Sequence, residues 1–141
     1  MRFWDSSAII PLLVLEADSD YCLKALATDQ GMIVWCLSYV EVFSALCRRA
    51  KEGLMDETGF QAAKTRLKTV FDKAYQVKAI DLVRYRASRL LEVHNLRAAD
   101  ACQLAAALVV TQEDPGRLFM MCLDKRLETA ARKEGFSVNP P

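Results

Sequence analysis

Four carboxylates stand where apolar runs give way to helical patterns, or near a helix start. They are Asp5 after "MRFW", Glu41 just past "MIVWCL", Asp100 within "NLRAADACQLAAAL", and Asp124 after "LFMMCL". Asp100 is the most demanding. Its helix is otherwise built of Leu, Ala and other small residues, so it reads as buried over most of its surface. An unpaired carboxylate there is expensive to desolvate, so Asp100 is either neutralised or faces a cleft. Carboxylates crowded together repel one another, and a hard divalent cation relieves that conflict. Oxygen-only ligands select Mg²⁺ or Mn²⁺ over zinc or copper. Such an ion activates water and stabilises a phosphodiester's oxyanions during in-line attack. The set therefore points to metal-assisted hydrolysis of a nucleic-acid backbone.

Each acid also has a structural reading. Ser38-Tyr-Val-Glu41 fits a capping box, in which Glu41 bonds back to the Ser38 backbone. Asp5 and Asp124 suit helix N-caps, and Asp100 suits the positive end of a helix dipole. No other cluster competes for metal chemistry. The single histidine, His94, and the cysteines at 22, 36, 47, 102 and 122 show no zinc-ligand spacing. Free thiols on apolar faces in a reducing compartment are the expected state.

The elements that must position these acids follow from the apolar pattern. "MRFWD", "MIVWCL", "LFMMCL" and "FSV" read as strands, with a further short strand expected at 77–80. Helices are expected over 6–16, from Asp18 or Ser19 to Asp29, over 38–53 with Gly53 as a C-terminal cap, over 56–75, over 82–94, through the alanine-rich segment, and over 125–135. Asp114-Pro115-Gly116 is a turn. Strands alternating with helices imply an α/β fold with a mostly parallel sheet covered on both faces. In such sheets ligands bind outside the carboxyl ends of the strands, which brings all four acids towards one rim.

The chain's 141 residues suffice for one domain, and 52% hydrophobic against 26% charged residues is the balance of a globular protein rather than a disordered one. The longest apolar run, Ala8 to Leu15, is broken by Pro11 and is too short to span a bilayer. The amino terminus lacks signal-peptide regions, so residence in the cytoplasm is expected. Net charge is only +1, yet residues 61–89 carry eight Lys or Arg against Asp72 and Asp81. That run is either a solvated helix surface or a phosphate-contacting flank.

The segments "FWDSSAIIPLLVLE", "SYVEVFSAL", "LRAADACQLAAAL" and "LFMMCLDKRLETAARKEGF" resemble, in order, the four acidic motifs of PIN-domain ribonucleases. The nearest likeness is to toxins of type II virulence-associated (Vap) toxin–antitoxin systems, and it runs from end to end. The resemblance implies a three-layer α/β/α sandwich, RNA as substrate, and Mg²⁺ or Mn²⁺ as cofactor. It also implies a homodimer and a small antitoxin partner that blocks the acidic pocket. By position, Asp5, Glu41 and Asp100 become the principal metal ligands, Asp124 completes the pocket, and Ser7 orients Asp5. Arg48, Arg49, Lys125 and Arg126 form a candidate basic flank for phosphates. Where the family often has threonine two residues before the last acid, Cys122 stands instead. A thiol is a weak donor, which lowers the support expected for Asp124. A free-standing PIN nuclease of RNA processing and an inactive PIN-fold binding module are the alternatives. A haloacid-dehalogenase-type phosphatase needs a second acid two residues after Asp5, where Ser7 stands.

Overall fold

Five short strands build one sheet: β1 (Arg2–Trp4), β2 (Met32–Trp35), β3 (Tyr75–Val77), β4 (Phe119–Met121) and β5 (Ser137–Val138). The computed structural model describes residues 1–140. The strands lie in the order β3-β2-β1-β4-β5 and every neighbouring pair is parallel. The sheet is thus all-parallel. Among the described residues seven α-helices connect it: α1 (Ser6–Leu13), α2 (Ser19–Thr28), α3 (Ser38–Lys51), α4 (Glu57–Lys73), α5 (Ile80–Val93), α6 (Ala98–Val110) and α7 (Lys125–Lys133).

Strand periodicity sorts the side chains into two cores. Successive residues point to opposite faces, so Phe3 and Trp4 of the same strand are buried in different clusters. Trp4, Val34 and Met121 pack with α1 to α4 on one face. Phe3, Ile33, Trp35 and Met120 pack with α5, α6 and α7 on the other. Three layers result. The chain adds strands to one side of β1 and then, after β3, crosses to the other side. That reversal places a crevice at the carboxyl ends of β1 and β4.

Two boundaries differ from those expected, each for a local reason. The first helix stops at Leu13 rather than Glu16, and Val14 is extended. The Ser19 hydroxyl donates to the Val14 carbonyl and accepts from the Glu16 N–H, so it takes up backbone groups that a longer helix would use. The third strand spans Tyr75–Val77 rather than 77–80. The preceding helix ends at Lys73, and Ala74 is already extended. Gly53, with φ of 73°, follows α3 in the left-handed conformation expected of a helix-terminating glycine.

Three consecutive alanines of α6, Ala105 to Ala107, are fully buried, so this helix lies close against its neighbours. Leu104 beside them is also fully buried. Leu104→Ala should lower the unfolding free energy by about 2–5 kcal/mol. The expected observation is a lower urea midpoint with an unchanged slope. A midpoint equal to the parent's would show that α6 is not packed as described.

Candidate active site

The four acids arrive from four separate stretches and line one cavity of about 790 Å³. Asp5 sits where β1 ends, and its N–H donates to the Met121 carbonyl (2.9 Å), joining it to the end of β4. Its carboxylate caps α1, accepting the Ser7 N–H (3.0 Å) and the Ser7 hydroxyl. The same Ser7 oxygen accepts the Leu123 N–H at 2.9 Å. One serine therefore locks the Asp5 side chain to both strand ends. Asp5 is only 3% exposed. Burial pushes its pKa up to about 6; the Ser7 bonds oppose the rise and the charge of Asp100 adds to it.

Glu41 does not form the capping box that its spacing allows. Leu37 occupies the N-cap position without a side-chain bond, and Glu41 turns towards the cavity. Ser6 Oγ donates to Glu41 Oε2 (3.2 Å), and Gln103 Nε2 donates to Glu41 Oε1 (3.2 Å). Burial raises the Glu41 pKa to about 7; the Gln103 bond opposes this, and the charges of Asp5 and Asp100 add to it.

Gln103 was not among the residues expected from sequence. It is fully buried, and its Nε2 also lies 2.7 Å from Ser6 Oγ and 2.8 Å from Ser38 Oγ. It thereby ties α6, on one face of the sheet, to α1 and α3 on the other, directly over the strand ends. Its Oε1 is buried without a hydrogen-bond partner among the described residues. The available signal was a lone glutamine inside "ACQLAAAL", where a polar side chain needs a reason.

Asp100 lies in the first turn of α6, half-buried. Burial raises its pKa, as does the charge of Asp124, while Arg97 and Arg126 counter the rise. Asp124 caps α7 by accepting the Leu127 N–H (2.8 Å) and remains exposed to the cavity. The Cys122 thiol faces the Asp5 carboxylate (3.8 Å to Oδ2) and the Asp124 backbone carbonyl (3.4 Å). The weak donor expected to affect the Asp124 carboxylate thus bears on Asp5 instead.

Four cations ring the acids: Arg48, Arg97, Lys125 and Arg126. Arg97 was missed in the sequence. Arg49, expected in this flank, is instead paired with Glu16 at 2.6 Å. The basic run at 61–89 lies apart from the cavity. Arg66 donates to the Leu13 carbonyl, Lys68 pairs with Asp72, Arg84 with Asp81, and Arg86 with Glu113 and Glu134. Seven of its eight cations lie on α4 and α5, and Lys78 lies on the connection between β3 and α5. All five cysteines are free thiols, as expected.

The donor set is carboxylate oxygen throughout. Among the described residues no three candidate ligands close into a ready-made cage. This arrangement suits Mg²⁺ or Mn²⁺ chemistry: Mg²⁺ keeps several waters and takes only one or two protein carboxylates, with substrate phosphates completing its shell. Raised pKa values in a half-closed cleft are those of acids held for a cation or a proton.

No protein-family profile matches this chain. Two curated relatives are each 32% identical over 138 residues, covering 98% of this chain and 94% of theirs. They are Ribonuclease VapC45 of Mycobacterium tuberculosis strain CDC 1551 / Oshkosh and Ribonuclease VapC49 of M. tuberculosis strain H37Rv. The crystal structure of FitAcB from Neisseria gonorrhoeae superposes with a TM-score of 0.65 at 14% identity, covering 98% of this chain and 96% of that one. At that identity the likeness is one of fold.

The raised acids make a prediction about the metal-free protein. The folded pKa of Glu41, about 7, lies above its ordinary 4.5. Its contribution to stability is therefore full at low pH and is lost as pH rises through about 7. In chelator, Glu41→Gln should melt above the parent at pH beyond 7, and the gap should close as pH falls towards 4.5; Asp100→Asn should shift melting in the same direction, since burial raises the pKa of that acid too. Adding Mn²⁺ should stabilise the parent more than either variant. Variants that melt below the parent throughout would mean these acids are partners in a structural bond.

Proposed function

Since the chain belongs to the VapC family of PIN-domain ribonucleases, we propose that it is a Mg²⁺- or Mn²⁺-dependent endoribonuclease, with Asp5, Glu41, Asp100 and Asp124 forming its active site. In this reading it is the toxin of a toxin–antitoxin pair. One observation carries the assignment of the site: four acids distant in sequence line a single cavity ringed by four cations. Such a mixed field fits a phosphodiester, which needs charge neutralisation at its oxygens and acids that handle metal and protons.

The bound ion would be held by Asp5, Glu41 and Asp100, with Asp124 completing the pocket, and it would supply an activated water and stabilise oxyanion charge. The chain's own residues do the rest. Ser7 fixes the Asp5 carboxylate, while Ser6 and Gln103 fix that of Glu41. Arg48, Arg97, Lys125 and Arg126 hold backbone phosphates at the rim. In hydrolysis the water oxygen bonds to phosphorus as the opposite P–O bond breaks. One water proton passes to a pocket carboxylate, and the leaving oxygen takes one proton from a protonated pocket acid, so the proton count of the site is unchanged.

A homodimer and cytoplasmic residence belong to the same reading. The exposed apolar side chains of Leu37 and Val40 near the start of α3, and of Ile80, Leu82 and Tyr85 on α5, support a self-associating surface in this reading. No helix among the described residues is long and apolar enough to cross a membrane.

Purified protein should cut RNA with Mg²⁺ or Mn²⁺ and stop in chelator. Asp100→Asn, which keeps shape and removes charge, should slow cleavage by orders of magnitude; cleavage at the parental rate would remove Asp100 from the site. Gln103→Leu removes the buried amide that holds Glu41. It should fold and lose about 10–100-fold in activity or metal affinity, measured by gel-based cleavage and Mn²⁺ titration.

A further inference from the structure

A second cavity, of about 270 Å³, opens beside the acidic one and shares Arg126 with it. Its walls are the end of α5 and the connection to α6 (Val93, His94, Asn95) and one face of α7 (Arg126, Thr129, Lys133). Residues 126, 129 and 133 stand three and four apart, so they form a single stripe along the helix. Arg126 is at the acidic end of the stripe and Lys133 at the far end. They are about 10 Å apart along the helix axis, the rise of about three stacked nucleotides.

The two cations of this groove are in no ion pair among the described residues, although Arg126 also bears on Asp100. Lys125 and Arg132, elsewhere on α7, both pair with Glu128. Arg126 and Lys133 have no carboxylate partner among the described residues. The nearby acid, Glu134, is held by other partners: its Oε1 lies 2.6 Å from Nε2 of the wall residue His94, and Arg86 holds its Oε2 at 3.3 Å. These contacts fix that wall. Asn95 is exposed, and its amide is free of side-chain bonds among the described residues.

We propose that this groove is the binding track for single-stranded RNA leaving the active site, with Arg126 and Lys133 on backbone phosphates and Asn95 reading one base edge. The proposal rests on the nuclease reading above. An acidic peptide is the competing occupant. RNA is favoured because the groove and the acidic cavity meet at Arg126, which lines both, and because its only apolar wall residues among the described ones are Val93 and Ala130, too little to anchor a peptide. An asparagine amide can donate and accept together, as an adenine edge requires.

The test compares the parent with Lys133→Ala, Asn95→Ala and a control, Lys68→Ala, whose cation lies on α4. The probe is a single-stranded RNA of about 12 nucleotides. Lys133→Ala should raise KM severalfold with kcat unchanged, and reduce the slope of log affinity against log salt by about 0.7. Asn95→Ala should change the base preference at one fixed distance from the cut in a randomised RNA pool. Lys68→Ala should do neither. If the parent cleaves and Lys133→Ala and Asn95→Ala match it in KM, salt slope and cut profile, the groove is not an RNA track and the nuclease reading stands. If the parent does not cleave, the nuclease reading fails. Anisotropy of the same labelled RNA in chelator then decides the groove: weaker binding by Lys133→Ala upholds it and equal binding overturns it. Loss of oligoglutamate binding in Lys133→Ala, with RNA binding intact, also overturns it in favour of a peptide.

Discussion

The structure depends on keeping one carboxylate dry at the end of its central strand. Asp5 is almost fully buried, and burial is the first cause of its raised pKa. An isolated buried charge is tolerated only with compensation. Here it comes from the Ser7 N–H and hydroxyl. This bonding also starts α1 and, through Leu123, joins the end of β1 to the chain leaving β4. The strand order makes the arrangement possible. Only at β1 does the sheet reverse its direction of growth, so only there do helices part and leave a crevice.

Structural and functional readings of the acids prove to be partly compatible. Asp5 and Asp124 cap helices with one oxygen and still line the cavity, because a strand-to-helix junction at the sheet edge is both an N-cap and a rim. Glu41 is different. Its capping box is absent, and its carboxylate is spent on Ser6 and Gln103. The cost of gathering the acids is eased by cations: Arg97 and Arg126 act on Asp100, the acid that also bears the charge of Asp124. Acids below and cations at the rim make one site that can meet both a metal ion and a phosphate.

Much of this was legible in the sequence. Alternating strands and helices predicted the parallel sheet, and three acids at strand-to-helix junctions, with Asp100 near the start of its helix, predicted the shared rim. What was hidden depends on contacts between segments far apart in the chain. Gln103 is meaningful only because α6 meets α1 and α3 over the strand ends, a contact that no periodicity announces. Cys122 faces Asp5, 117 residues away, rather than the neighbouring Asp124 carboxylate. Arg97 stands inside the third acidic motif with no local sign that it reaches the cavity, and Arg49 cannot be told from its neighbour Arg48 without the contact to Glu16. The displaced third strand shows the ordinary limit of local reading, since its position is set by pairing with β2.

The central claim is that Asp5 and Glu41 belong to one site whose proton affinity is raised in the folded state. Calorimetric titration of the metal-free protein with Mn²⁺ between pH 6 and 7, repeated in buffers of different ionisation enthalpy, tests it directly. Metal binding must displace protons from acids that hold them in this range. The account predicts saturable binding whose heat varies with the buffer, and a smaller variation in Asp5→Asn. Heat independent of buffer, or Asp5→Asn binding Mn²⁺ as tightly as the parent, would contradict it.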